Sequence, residues 1–435
     1  MVSSENRWVN WSETQSCSPK QIAYPSTEKD LIDCVRSAIK SNMNIKVVGS
    51  GHSFVGAALT DGLLVDLSKY NQIINVDNDN RQVTVQVGKK LEDLNSEIWG
   101  HGLSMSNLGD IAYQSIAGAV STGTHGTGIG FGCLATQVVS ARVISGEGEV
   151  IDCSPKKDSD LFGAAVIGVG SAGILSTVTL QLEKAFNLHA LEMPMPFDFV
   201  MDNQDQFIHE NEHFEYFCHP DVKLALTKRN NRTAKPGKSL TSFGRWYHDE
   251  FISGYLPKLT GLAKQTFPQL NKYLTHEFML VARENYIDRS YLVFTSERKQ
   301  YGCEMEYFVP REHATEALSK VLDFIKRSGL KVSMPMEVRW IAADEFPISM
   351  CYGRETTSIA IHVQMGERYE NYFVPFETIM MDYDGRPHWG KMHFQTSTTL
   401  APLYPKWDEF QKARRRLDPK GIFENEYTKR VFGPI

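Results

Sequence analysis

The sequence predicts a mixed α+β protein of two domains, or of one large domain with an elaborate cap. Three observations point there. At 435 residues the chain is longer than one hydrophobic core usually serves. Residues 8–182 switch repeatedly between β-branched runs and segments with helical apolar spacing. From residue 184 aromatics thicken (Phe207, Phe214, Tyr216, Phe217, Trp246, Tyr247, Tyr255) and strands and helices alternate less regularly. The divisions read as 1–183, 184–380 and a closing segment, 381–435.

Hydrophobic content of 42% and charged content of 23% are those of an ordinary globular protein. A formal net charge of −6 leaves no electrostatic footprint for nucleic acid or an anionic membrane. The basic run from Lys228 to Arg245 carries the Asn, Thr, Gly and Pro of a solvated loop. Seven cysteines are scattered, with no C-x-x-C and no zinc-ligand spacing, so free thiols and no metal are expected. The N-terminus lacks a signal-peptide core, and no stretch reaches the roughly 18 apolar residues of a membrane span. A cytoplasmic protein is the expectation.

In order, Ser26-Thr27-Glu28 caps a helix to about Ser41, with Leu31, Val35, Ala38 and Ile39 at helical spacing. Ile45–Val48 is a buried strand that breaks at Gly49-Ser50-Gly51, with His52, Ser53 and Phe54 behind it. Leu63–Leu67 is a short strand, and Ile73–Val76 with Gln82–Val87 a hairpin about Asp77-Asn78-Asp79-Asn80. A helix from Lys90 to His101 ends at Gly102. Residues 106–128 hold Gly109, Gly118, Gly123, Gly126 and Gly128 among Ser, Thr and His. That composition argues against an ordinary helix or central strand and suits backbone wrapped around a ligand. A second hairpin follows, 137–145 with 149–153.

Gly168-Val-Gly-Ser-Ala-Gly173 is formally G-x-G-x-x-G, but a strand, Ile174–Leu182, follows it where a dinucleotide fingerprint needs a helix. The nicotinamide reading falls. Further on, strands are expected at 304–310, 331–340 and 358–364, and helices at 311–328 and 369–381. The tail crowds His388, Trp389, Gly390, Lys391 and His393 between turn residues, and closes with a helix end at 414–418.

Four features carry chemistry. A strand end opening on two glycines brings backbone N–H groups near a phosphate or flat ring. His52 sits there, and a neutral imidazole nitrogen can bond the 8α carbon of a flavin. Its plainer role is that of a satisfied turn histidine. His125, inside Gly123-Thr124-His125-Gly126, has the same plain role. Glu337 and Arg339 alternate on one strand and share a face. They make either a simple salt bridge or a grip on a polyhydroxy substrate, which Ala360, His362 and Gln364 could line from a neighbouring strand. Lys391, beside Trp389 and two histidines, is read as more than a surface lysine. No H-E-x-x-H, G-x-S-x-G or Walker A sequence is present.

Across almost its whole length the chain resembles the sugar-lactone and alditol oxidases of the vanillyl-alcohol-oxidase flavoprotein fold. The resemblance is carried by Gly49-Ser50-Gly51-His52-Ser53-Phe54, Ser106-Asn107-Leu108-Gly109, Ser115-Ile116-Ala117-Gly118, Thr122-Gly123-Thr124-His125-Gly126, Glu337-Val338-Arg339 and His388-Trp389-Gly390-Lys391. It implies an N-terminal FAD-binding domain, a sheet-and-helix substrate domain over the flavin, and a C-terminal segment returning to it. It implies FAD joined covalently to His52, and held by Val48, Gly49, Ser50, Gly51, Ser53, Phe54, Asn107, Gly109, Asp110, Ser115, Gly118, Thr122, Gly123, Thr124, His125, Gly126, Gly173, Ile174 and His388. Glu337, Arg339 and Lys391 are the implied catalytic residues, and Asp110, Glu304 and His362 join them around the substrate. The implied reaction is hydride transfer from a carbinol carbon to flavin N5, then reoxidation.

Asp110 and His362 stand where the alditol oxidases carry serine and threonine, which favours an L-gulono-, L-galactono- or D-arabinono-1,4-lactone, oxidised at C2 to an ascorbate-type enediol. Tyr352-Gly353-Arg354 and 310–314 resemble the alditol enzymes, so oxidation of an alditol at C1 is the alternative. Gly109 matches a position where dehydrogenase relatives carry an oxygen-blocking alanine, so O2 and hydrogen peroxide are expected. A dehydrogenase using a quinone or cytochrome, and a non-catalytic flavin- or sugar-binding protein, are the competing readings.

Overall fold

The computed structural model describes residues 6–239, 271–296 and 302–435. Trp246, Tyr247, Tyr255 and the end of the basic run at Arg245 lie outside the described residues. The first helix forms over Glu28–Lys40. The Thr27 hydroxyl accepts from the Asp30 N–H while the Asp30 carboxylate accepts from the Thr27 N–H, a reciprocal cap. Leu31, Val35 and Ala38 are its buried stripe. They join the core of a three-stranded parallel sheet, ordered Gln21–Ala23, Leu63–Asp66, Ile45–Val48. A five-stranded antiparallel sheet follows, ordered Val150–Cys153, Val138–Ile144, Ile174–Gln181, Gln82–Gln86, Ile73–Asp77. Both expected hairpins lie in it. The strand expected after Gly173 is also there, and Gly173 needs its glycine: φ is +82°, and a Cβ would lie 2.7 Å from Val143 Cγ1.

The second half builds an eight-stranded sheet. Its order is Glu284–Arg289, Asn187–Pro196, Leu224–Thr233, His213–Cys218, Met336–Ile341, Thr356–Gln364, Gly302–Pro310, Arg386–Pro387, antiparallel throughout. Side chains alternate across a sheet, and here the two faces differ sharply. Tyr216, Val338, Trp340, Ile359, Ile361, Met305 and Tyr307 are buried on one face. Helices Phe197–Glu210, Ala314–Ser328 and Glu370–Met381 cover it. The other face carries Glu215, Glu337, Arg339, His362, Glu304 and Glu306, and from it Arg339 meets Asp110 and Glu306 meets His125.

Two expectations are corrected. The strand placed over 331–340 starts only at Met336, because Pro335 has no N–H to give a ladder. The glycine-rich stretch does contain a helix, Ile116–Ser121, capped by the Ser115 hydroxyl accepting from the Gly118 N–H at 3.3 Å. One glycine among Ile116, Ala117, Ala119 and Val120 does not prevent six helical residues.

The closing segment packs into the first core through Trp389, Phe410, Leu417, Phe423 and Phe432. The Ile45 N–H donates to Ile422 O at 2.8 Å. Lys46, buried, donates to Gly170 O at 2.9 Å and Phe423 O at 3.0 Å. One ammonium therefore ties the tail to the strand that opens on His52. Among the described residues no helix is long and apolar enough to cross a membrane.

Candidate active site

The end of strand Ile45–Val48, helix Ile116–Ser121 and the turn before Ile174–Gln181 enclose a cleft. Val48, Gly49, Ser50, Gly51, His52, Ser53, Ser115, Gly118, Thr122, Gly173 and Ile174 all line it. Eleven residues from three distant stretches named on sequence grounds thus share one cavity. Burial, helped by the charge of Lys90, lowers the His52 imidazole to about 4, so at neutral pH it is uncharged. His52 Nδ1 is buried with no hydrogen-bond partner, as is Thr124 Oγ1. Buried polar atoms are almost always paired, so the His52 orphan, in a cleft of backbone amides and small side chains, fits a bound flavin nucleotide.

The polar sheet face is built by register. Glu192 pairs with Lys228, Lys228 with Glu215, Glu215 with Arg339 and Arg339 with Ser358, across four neighbouring strand pairs. Arg339 Nη2 lies 2.6 Å from Asp110 Oδ1, Nε donates to Glu215 Oε2 at 2.8 Å, and Glu337 contacts Nη2 as well. One guanidinium serves three carboxylates from three segments, as its planar fork allows. Lys391 bridges Glu304 Oε2 at 2.9 Å and Glu306 Oε2 at 2.8 Å. His125 Nε2 reaches Glu306 Oε1 at 3.1 Å, while His125 Nδ1 donates to Gly126 O at 2.8 Å. Burial would raise Glu306, yet Lys391 and His125 hold it well below the usual carboxylate range. Burial lowers His388 to about 3, and its Nδ1 accepts from the Gly390 N–H at 2.9 Å. His362 faces Glu304 across the ladder.

Glu215 behaves oppositely to Glu306: burial raises it to about 7 against the pull of Arg339. Its ordinary value is 4.5, so the folded chain binds this proton more tightly than the unfolded chain. The stability it contributes is full below about pH 4.5 and is lost as pH rises to about 7. Urea unfolding of wild type and Glu215→Gln across that window should show the wild type losing ground to the variant as pH rises. Parallel profiles would count against the assignment.

Some named residues also pack closely on protein. Asn107 Oδ1 and Leu108 O lie 2.5 and 2.2 Å from where a Gly126 Cβ would sit; these positions pack one glycine-rich loop on another. Gly123 is pressed against Met350. Phe54 does not line the His52 cleft. It lines a larger one with Met392, His393 and Tyr427, while its N–H donates to Gly390 O at 2.8 Å. Glu215 and Glu306 were not singled out, and Lys228, expected at the start of a solvated loop, stands instead inside strand Leu224–Thr233 between Glu192 and Glu215, because its neighbours Leu226 and Thr227 are buried there. The signal was available in the alternation Phe214-Glu215-Tyr216 and Glu304-Met305-Glu306, which puts a carboxylate opposite an apolar face.

Flavin-compatible cleft, cationic pair and carboxylates on one face define the site of an FAD-dependent oxidoreductase. A family model described as D-arabinono-1,4-lactone oxidase matches residues 178–431, and one described as FAD binding domain matches 19–154. The L-gulono-1,4-lactone dehydrogenase of Mycobacterium tuberculosis is 39% identical over 430 residues, 98% of this chain and 99% of that protein. The L-gulonolactone oxidase of Mus musculus is 31% identical, covering 98% of each. Cholesterol oxidase from Brevibacterium sterolicum shares the fold, with a TM-score of 0.80 at 16% identity over 98% of this chain and 96% of that one. The chain belongs to the D-arabinono-1,4-lactone oxidase family, and has the vanillyl-alcohol-oxidase type of fold.

Proposed function

We propose that the chain oxidises a sugar 1,4-lactone of the L-gulono, L-galactono or D-arabinono type at C2, with FAD bound covalently through His52. Residues 1–183 would hold the cofactor, 184–380 the substrate, and 381–435 would return Lys391 to the site. The carrying observation is that Glu337 and Arg339, and the Glu304–Glu306 pair that holds Lys391, lie on one sheet face, which Arg339–Asp110 and Glu306–His125 tie to the glycine-rich stretch that bears Gly109. When bound, FAD supplies a two-electron acceptor for the carbinol hydride, and O2 reoxidises it to give hydrogen peroxide. The chain's own work is binding and charge. Glu337 and Glu304 accept from substrate hydroxyls. Arg339 and Lys391 are preorganised cations for negative charge that develops during transfer. Asp110, bonded to Arg339, ties the FAD-side loop to the substrate face. Seven free cysteines support a reducing compartment, the cytoplasm.

The test is a panel of aldonolactones and alditols with purified protein, read as anaerobic flavin bleaching and aerobic peroxide. Lactones should bleach it fastest; a flavin bleached by no polyol or lactone refutes the substrate class. Acid-denatured wild type should stay yellow and His52→Ala should not.

The name of the 39%-identical relative favours a second reading of the acceptor, a dehydrogenase. Gly109 separates the two. An added Cβ would stand 2.9 Å from His125 O and 3.1 Å from Thr124 Cγ2, so Gly109→Ala crowds the Thr124–His125 turn and shifts it. Stopped-flow mixing of reduced protein with oxygen should show the variant slowed at least about tenfold, about 1.4 kcal/mol of barrier, with dye-coupled turnover kept. An unchanged oxygen rate would remove Gly109 from control of the acceptor.

A further inference from the structure

We propose that Trp11 and Tyr113 clamp the His52 imidazole and are the positioning residues for its covalent bond to FAD; this rests on the covalent reading above. The Trp11 ring stacks on His52 at 5.0 Å between centroids and 30° between planes, and Tyr113 at 6.4 Å and 14°. Two rings stacked on the imidazole, Trp11 the closer, restrict its rotation about its side-chain bonds. The ring edge is left to react, and on that edge Nδ1 is buried and has no hydrogen-bond partner.

The backbone is clamped on either side of His52 as well. The Trp11 N–H donates to Gly51 O at 2.9 Å, and Asn10 Nδ2 donates to Ser53 O at 2.9 Å. Asn10 is itself buried, with Oδ1 accepting from the Gln15 N–H at 2.9 Å. Gly51 has φ +66°, and a Cβ there would sit 3.0 Å from Trp8 Cζ2, so the loop is shaped to receive the hairpin Trp8–Val9 with Ser16–Cys17. This hairpin precedes residue 19, where the FAD-binding family match begins. Tyr113 comes from the loop that also carries Asp110 to Arg339, so the same clamp links the attachment point to the substrate face. Bond formation joins Nδ1 to the flavin 8α carbon with loss of one methyl hydrogen and the imidazole hydrogen. The two electrons left on the ring system pass with two protons to O2, giving hydrogen peroxide.

The experiment measures two quantities in holoprotein purified after growth with excess riboflavin: total bound flavin by absorbance, and flavin retained through acid precipitation. Trp11→Ala and Tyr113→Ala should keep bound flavin but lose at least about tenfold of the acid-stable fraction, with Trp11→Phe and Tyr113→Phe restoring it. Should an alanine variant fail to fold, Trp11→Leu and Tyr113→Leu, which keep volume without a flat ring, carry the same expectation. Alanine or leucine variants with the wild-type acid-stable fraction overturn the clamp while leaving the covalent reading standing. Variants that bind no flavin while staying folded overturn it too, because the rings then serve binding rather than bond formation. Wild type that releases all its flavin in acid overturns the covalent reading, and the clamp with it.

Discussion

Replacing Arg339 by methionine should lower kcat/KM by about a thousandfold or more, about 4 kcal/mol at the transition state, and destabilise the fold by about 3–5 kcal/mol. Both losses have one origin. Asp110, Glu215 and Glu337 bring carboxylate oxygens to within 4.8 Å of one another, and Arg339 touches all three. Without the guanidinium, these acids must repel or take up protons in a buried setting. Lys228 lies 3.8 Å from Glu215 Oε1 and does not replace the three contacts that Arg339 makes. Arg339→Lys keeps the charge but loses the planar fork; it should recover most of the stability and little of the rate. Steady-state kinetics on the best lactone and urea unfolding of the two variants give the comparison. An Arg339→Met variant within tenfold of wild-type kcat/KM would sink the assignment of Arg339 to the substrate site.

That comparison also shows which kind of information sequence patterning carries. Glu337 and Arg339 were legible because alternation along one strand is local: two residues apart means one face. The same alternation puts Glu215 on a polar face, but its link to Arg339 was not legible, although it is as close to Arg339 as Asp110 is within a few tenths of an ångström. Its role arises from the pairing of His213–Cys218 with Met336–Ile341, a register that no short-range signal encodes. The cofactor loops show the converse. Gly49-Ser50-Gly51-His52 reads as a ligand site because glycine breaks and exposed polar groups have few other uses at a strand end, and these residues do line the cleft. Gly123, Gly126 and Asn107, from an equally glycine-rich stretch, lie against other protein segments. Composition reveals that backbone comes close to something, but not whether that partner is a ligand or another loop. Trp11 was invisible for a different reason. Its value lies in the orientation of a ring against His52, and an aromatic near a chain terminus has no pattern to distinguish it.

Lys391→Met should be the other severe loss, again about a thousandfold in kcat/KM, and a second substitution can separate catalytic from structural work. Residues 388–392 run beside the strand Gly302–Pro310: the His388 N–H donates to Glu306 O at 3.0 Å and the Met392 N–H to Glu304 O at 2.8 Å. This places the ammonium between the two carboxylates, and Gly390 O, accepting from Phe54 N–H, couples the segment to the His52 loop. Removing the ammonium leaves Glu306 buried with its hydrogen bond to His125 Nε2, so burial should push that carboxyl up and cost stability. Adding Glu306→Gln removes the stranded charge. The double variant Lys391→Met/Glu306→Gln should therefore be more stable than Lys391→Met alone, a coupling that a double-mutant cycle measures. If Lys391 acts on substrate and flavin charge, turnover should stay lost in that double variant. If Lys391 only neutralises Glu306, turnover should return with stability, and the lysine would then be a structural counterion. The two outcomes differ by orders of magnitude in rate at nearly equal fold stability, so kinetics and unfolding on the four proteins of the cycle decide between them.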